Sequence, residues 1–141
     1  MKIIKCFFIS LCFMSIGANA AGAWNVVKGQ RFATSSDVTN IVTGVIGVIP
    51  SGGYTFGMRV VANGCDAAAE NRTMTVFVNK EIANLSVGCN ANHTTYTPVT
   101  DLDNEKIINV FKNDPIIYIG TNENDILIFQ GDGFTETLNN L

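Results

Sequence analysis

The sequence contains few of the side chains from which enzyme active sites are built. Its only histidine is His93, and it has no Cys-x-x-Cys pair and no Gly-x-Ser-x-Gly motif. A serine nucleophile needs a positioned base, and a zinc site usually takes several His or Cys ligands. His93 lies beside a turn, where we expect an exposed loop histidine. The sequence therefore predicts no catalytic residue, no metal ligand and no cofactor.

The chain also has little apolar sequence that could cross a membrane. Residues 6–17 are apolar, but about a dozen such residues fall short of the roughly 20 that a bilayer requires. Two lysines precede this run and Ala-Asn-Ala follows it at 18–20, a pattern typical of a cleaved bacterial signal peptide. We expect cleavage after Ala20, or after Ala23 at a second site of the same type.

Positive charge is scarce in the domain that cleavage would leave. Without residues 1–20, residues 21–141 carry seven basic and twelve acidic side chains, a net charge of −5. Nucleic acids and anionic membranes are bound by clusters of Lys and Arg. We therefore expect a single exported domain, periplasmic or secreted, that binds no nucleic acid and has no membrane span.

Two cysteines, Cys65 and Cys89, remain in this domain, and two cysteines in an exported domain usually pair. Between them, residues 72–78 and 81–87 have the composition of strands, and the dipeptide at 79–80 joins them as a hairpin turn. If the register of the hairpin continues, Cys89 comes close to the loop that holds Cys65. The sequence therefore predicts a disulfide between them.

The hairpin has two apolar faces. The alternation of side chains along a strand places Met74 opposite Leu85 on one face and Phe77 opposite Ile82 on the other. A single helix covers roughly one face of a sheet. We therefore take these four residues as a candidate interaction surface, to be covered by a protein partner or by a second copy of the chain.

Residues 41–49 fit two kinds of element. A helix capped by a preceding serine is one, but the β-branched residues and two glycines favour a strand. A four-residue turn at 50–53 would then pair Ile49 with Tyr54 and Gly47 with Phe56.

One segment, 102–112, has the pattern of an amphipathic helix. Thr100 or Asp101 can cap it, and acidic residues occupy its first turn, where the helix dipole favours them. Its expected buried stripe consists of Leu102, Ile107, Ile108 and Phe111.

Shorter segments complete the pattern. Residues 116–120 and 125–130 form a second predicted hairpin, and residues 134–141 a closing helix or strand. Three alanines at 67–69 suggest one helical turn, and the single tryptophan, Trp24, is expected to pack into the core.

These elements predict an α+β domain: an antiparallel β-sheet of about six to eight strands, one principal helix packed on a face, and a single disulfide. Its expected function is that of a small, non-catalytic protein-binding module, such as an inhibitor or immunity factor for an exported enzyme. A structural subunit of a surface or secreted assembly is the alternative, and a small hydrolase is a less favoured one.

Overall fold

The computed structural model describes residues 22–65 and 71–141. The predicted signal peptide with its cleavage site after Ala20, and the helical turn at 67–69, lie outside the described residues. Nine strands and two helices follow one another in the described part of the chain. They are β1 (Asn25–Val26), β2 (Phe32–Ser36), β3 (Val42–Val48), β4 (Tyr54–Val60), β5 (Thr73–Val78), β6 (Glu81–Asn90), β7 (His93–Pro98), α1 (Asp101–Asn113), β8 (Ile116–Asn122), β9 (Asp125–Gln130) and α2 (Phe134–Asn139).

All nine strands belong to one antiparallel sheet, in the order β1-β2-β3-β4-β7-β6-β5-β8-β9. The predicted antiparallel sheet with one main helix is confirmed, but the sheet is larger than predicted. The strand that the sequence pattern does not reveal is β2, because its sequence FATSS is mostly small and polar. The strand interpretation of residues 41–49 is confirmed by β3.

The sheet curls into a half-barrel, so that its first and last strands approach each other. The Val38 N–H, just after β2, donates to the Ile128 carbonyl of β9 at 3.0 Å. The indole N–H of Trp24 donates to the Gln130 carbonyl, also at 3.0 Å. The curl gives the sheet a concave face, which holds the core, and a convex face.

Aromatic side chains fill one end of the concave face. The ring of Phe111, from α1, lies with its centroid 5.2 Å from Phe56, 5.1 Å from Phe134, 5.5 Å from Trp24 and 6.0 Å from Phe129. Aromatic pairs at such distances stabilise beyond their buried area, by about 0.5–1.5 kcal/mol each. Both helices are therefore anchored at this end of the sheet, and Trp24 is buried as predicted.

The predicted register of β3 with β4 is wrong by one residue. Ile46 lies opposite Phe56, and Gly47 opposite Thr55. The reason is that Ile49 belongs to the turn: its N–H donates to the Gly53 carbonyl at 3.0 Å. The turn is therefore one residue longer than expected. Because a one-residue slip exchanges the two faces of a strand, this register is what buries both Ile46 and Phe56.

Helix α1 begins with a reciprocal cap. The Thr100 hydroxyl accepts from the Asp103 N–H at 3.1 Å, and an Asp103 carboxylate oxygen accepts from the Thr100 N–H at 3.2 Å. This capping box satisfies two backbone donors that a helix start leaves without partners. The predicted place of Leu102 in the buried stripe is wrong, since its side chain is 60% exposed. The helix directs Asp103, its neighbour, into the protein instead.

The start of α1 fills a gap in the sheet between β4 and β6. β7 pairs with both strands but ends at Pro98, and beyond that point the facing edges of β4 and β6 lack a strand partner. The Asn104 side chain replaces the strand on one side: its amide oxygen accepts from the Phe56 N–H and its amide nitrogen donates to the Tyr54 carbonyl, both at 2.9 Å. On the other edge, the Asp103 carboxylate accepts from the Asn84 N–H at 3.1 Å, and the Lys106 ammonium donates to the Ile82 carbonyl at 3.2 Å.

The surroundings of Asp103 favour its charged form. Burial alone raises the pKa of this carboxyl, but hydrogen bonds from Asn84 and Thr100 and the nearby charge of Lys106 outweigh it. The pKa therefore lies below its ordinary value of 3.8. A lowered folded-state pKa means that the ionised group stabilises the fold above its unfolded-state pKa, and that this stability is lost as the pH falls through the folded-state value.

We expect Asp103→Asn to lower the free energy of unfolding by roughly 2–3 kcal/mol at pH 7, because a charged acceptor of several hydrogen bonds is removed. The difference from wild type should shrink as the pH falls below the unfolded-state pKa of about 3.9, and it should be lost as the pH passes through the lower folded-state pKa of Asp103. Urea unfolding between pH 3 and pH 7 measures both. Asp101→Asn, in the same helical turn but exposed, is the control and should cost under about 1 kcal/mol. Equal losses in the two variants would contradict the role given to Asp103.

The predicted disulfide is confirmed. Cys65 and Cys89 are bonded, with their Cα atoms 5.8 Å apart and a separation of 24 positions in sequence. Beside the bridge, the Gly64 N–H donates to the Asn92 carbonyl. The disulfide therefore joins Cys65 to the end of β6, and the hydrogen bond joins its neighbour Gly64 to the β6–β7 turn.

Removing this bridge with the double change Cys65→Ala and Cys89→Ala should lower the free energy of unfolding by about 3–4 kcal/mol, because the unfolded chain regains the entropy of an open loop. Chemical unfolding with and without reductant measures the difference. Thiol labelling of the denatured, unreduced wild type should find neither cysteine reactive. Labelling of both would contradict the bridge.

Candidate functional site

The structure separates the four residues of the predicted interaction surface into two places. The hairpin register is the predicted one, with Met74 opposite Leu85 and Phe77 opposite Ile82. Met74 and Leu85 point to the concave face, where Leu85 is buried and Met74 half-buried. Phe77 and Ile82 point to the convex face, where Ile82 is 61% exposed. Each pair therefore belongs to a different surface.

On the convex face, neighbouring strands extend the Phe77–Ile82 pair into a larger apolar area. Phe77 lies opposite Gly120 of β8, which lies opposite Ile126 of β9. One step along, Tyr118 lies opposite Ile128. We call this area the convex apolar patch; its residues are Phe77, Ile82, Tyr118, Ile126 and Ile128.

Gly120 has a specific part in the shape of this patch. A Cβ at this position would lie 3.1 Å from Cζ of Phe77 and would overlap the Asp125 carbonyl. The Phe77 ring therefore lies across β8 in the space that a side chain at residue 120 would take. This contact leaves Phe77 half-buried, while its neighbours Ile82 and Tyr118 remain exposed.

On the concave face, the end away from the aromatic cluster is open. It forms an apolar hollow of about 330 Å³, which we call the concave cup. Side chains from seven strands, β3 to β9, line it. They include Met58, Met74, Leu85, Tyr96, Ile119, Ile126 and Leu127. Polar side chains lie at its rim: Thr39 and Asn124 from two turns, and Thr121 near the end of β8.

One wall of the cup is held in place by a fully buried carboxylate, Asp37, which follows β2. It accepts hydrogen bonds from the Thr39 hydroxyl at 2.6 Å and from the Thr39 N–H at 3.2 Å. It also accepts from the backbone N–H groups of Ile41 at 2.9 Å and Val42 at 3.0 Å. Thr39 and Ile41 belong to the turn between β2 and β3, and Val42 is the first residue of β3, so the carboxylate fixes the turn and the start of the strand that follows it.

Asp37→Ala should lower the free energy of unfolding by roughly 3 kcal/mol, because several donors would lose a charged acceptor inside the protein. Thermal or urea unfolding measures the loss. Asp132→Ala, at an exposed turn position, is the matched control and should change the stability by less than about 0.5 kcal/mol. A loss in the Asp132 variant as large as that in the Asp37 variant would contradict this explanation.

The expectation of an exposed loop histidine is wrong in detail. His93 begins β7 and is partly buried, and its Nδ1 lies 3.0 Å from the Val60 carbonyl oxygen. The ring therefore ties β7 to the end of β4. Among residues 22–65 and 71–141, no three His, Cys, Asp or Glu side chains come together in a group that could hold a metal ion. Within these residues, no helix has the length and apolar character that a membrane span requires.

Sequence reasoning placed two residues of the convex apolar patch and missed the other three. The alternation of the strands at 116–120 and 125–130 already puts Tyr118, Ile126 and Ile128 on one face of their hairpin. What the sequence does not reveal is that β8 lies beside β5, since this pairing joins residues about 40 apart. The cup was missed for the same reason.

The chain matches no family model, no curated protein and no solved structure. Its two apolar surfaces therefore have to be interpreted from their own geometry.

Proposed function

We propose that this chain is a small exported protein without catalytic activity, which binds another protein through the convex apolar patch. The observation that carries the proposal is the exposure of adjacent large apolar side chains on one rigid surface: Ile82 is 61% and Tyr118 43% exposed, and both flank Phe77. Monomeric proteins rarely expose contiguous apolar surface unless it serves an interaction. Since the patch stands on paired strands, little ordering is needed when a partner binds.

The state of the reactive groups supports a role without catalysis. The buried carboxylates of Asp37 and Asp103 accept hydrogen bonds from the turn and the strand that they hold in place. The His93 ring lies against the Val60 carbonyl. Each of these groups has a structural task, whereas a general base has to reach a substrate proton.

Export is supported by the disulfide, because such bonds persist in oxidising compartments. Among exported binding proteins, an inhibitor or immunity factor for an exported enzyme is the class that we favour. A net charge of −5 over residues 21–141 suits a basic partner surface, and the charge would speed the encounter.

The alternative is a structural subunit of a surface or secreted assembly. Strand addition between copies needs an open sheet edge. β1 is only two residues long, and the Ile128 carbonyl of β9 is taken by the Val38 N–H. Both edges of the sheet are therefore poor templates, which favours the binding module.

Photo-crosslinking in the native host tests this function. A benzophenone amino acid in place of Ile82 or Tyr118 should form a covalent adduct with one other protein, because the side chain is buried by the partner. The same replacement at Val61, which is 50% exposed at the far end of β4, is the control and should give none.

The identity of the adduct then separates the alternatives. An exported enzyme whose turnover falls on adding the purified chain supports the inhibitor. Adducts with a second copy of the chain would favour the structural subunit. Adducts from Val61 alone, or from none of the three positions, would contradict the patch as an interface.

A further inference from the structure

We propose that the concave cup is a second binding site, for a small uncharged molecule with an alkyl chain of about ten carbons. This site opens on the concave face of the sheet. Of the convex apolar patch, Ile126 is among its lining residues, whereas Phe77, Ile82, Tyr118 and Ile128 are not.

The volume of the cup sets the size of the ligand. At about 330 Å³ it lies at the lower end of the range of small-molecule sites, roughly 300–1,000 Å³. It is about twice the roughly 150 Å³ of an apolar cavity that is known to take benzene. About ten to twelve non-hydrogen atoms would therefore fill it. A bound peptide strand would leave its backbone N–H and C=O groups unpaired against the apolar lining of the cup.

The lining favours a flexible apolar chain. The lining includes Leu85, which is 1% exposed, and Val76, which is 4% exposed. The wall contains Met58 and Met74, which are the only methionines after residue 20. Methionine side chains are unbranched and polarizable, so they adapt to ligands of variable shape. Both of these adaptable side chains therefore line the cup.

The rim selects against a negatively charged head group. Among the described residues, the one charged residue that lines the cup is Asp125, and the other polar side chains there are the hydroxyls of Thr39, Tyr96 and Thr121 and the amide of Asn124. A carboxylate or phosphate at the rim would meet a like charge and find no cation. A neutral hydroxyl can exchange hydrogen bonds with these groups. A fatty alcohol thus fits the rim better than a fatty acid.

The cup is also held open by the fold. Asp37 fixes the turn that carries Thr39, and β5, β6 and β7 are fully paired along the wall that includes Met74, Leu85 and Tyr96. Binding would need little rearrangement of this wall, and a preformed site loses less affinity to ordering than a flexible one.

The two methionines provide a direct test. In a chain labelled with ¹³C at the methionine methyl groups and purified after removal of the leader, the Met58 and Met74 signals both report on the cup. Titration with 1-decanol should shift both signals and saturate, with a dissociation constant on the order of 100 µM, as about eleven non-hydrogen atoms permit. Decanoate at pH 7 should bind at least tenfold more weakly, because its carboxylate meets the charge of Asp125.

Variants locate the site. Met74→Trp should fill the cup and weaken 1-decanol binding at least tenfold, as read from the Met58 signal. Thr73→Trp, one residue earlier and exposed on the opposite face, adds the same side chain outside the cup and should leave binding unchanged. Leu127→Trp fills the cup from β9 and serves if the Met74 variant does not fold.

Several outcomes would overturn the proposal. Unchanged methionine signals at saturating 1-decanol would do so, as would full binding by both cup-filling variants. Loss of binding in Ile82→Thr would place the alcohol on the convex face. Signals that move on dilution without ligand would assign the cup to a second copy of the chain. None of these results would bear on the photo-crosslinks at Ile82 and Tyr118, so the two sites are tested separately.

Discussion

The fold depends on two neighbouring polar side chains at the start of α1. Asp103 and Asn104 take over the hydrogen bonding of β4 and β6 at the point where β7 ends. An unpaired backbone donor inside a protein costs about 1–3 kcal/mol, so a sheet that splits in this way needs a substitute partner on each side. The helix supplies one from each of two consecutive residues. It also supplies Phe111 to the aromatic cluster, so the same helix satisfies the split edges and fills the end of the half-barrel.

This arrangement explains why the sheet has two different apolar faces. The helices occupy only the end of the concave face near Phe56 and Phe134, and the opposite end stays open as the concave cup. Neither helix of residues 22–65 and 71–141 packs on the convex face, where Phe77 lies over Gly120 and Ile82 and Tyr118 are exposed to solvent. The two helices thus leave two apolar surfaces of the nine-stranded sheet uncovered.

The features that the sequence predicted are local ones. The register of the hairpin of β5 and β6 was predicted to the residue, because a two-residue turn leaves one register. The turn between β3 and β4 is longer, and a shift of one residue at Ile49 could not be read from glycine and proline alone. Likewise, the capping residues of α1 are visible in the sequence. The rotation of the helix about its axis, which buries Asp103 and exposes Leu102, depends on the gap between β4 and β6.

The remaining features depend on contacts between distant segments. The cup needs residues from seven strands, and the convex apolar patch needs β8 to lie beside β5. No local pattern encodes either pairing, since propensity and alternation describe one strand at a time. The buried role of Asp37 is hidden for a similar reason: a polar stretch after a short strand looks like an exposed loop until β9 comes to lie against it.

The hydrogen bond from Val38 to Ile128 also constrains the order in which the molecule can form. It joins residues 90 positions apart, and Trp24 rests against Phe134 over a longer separation still. Contacts of such range close slowly, because much chain entropy is lost before they form. When the chain is synthesised from its N-terminus, β1 to β4 form before β9 and α2 have been made. This part of the sheet therefore lacks its closing contacts until residues 125–139 have followed.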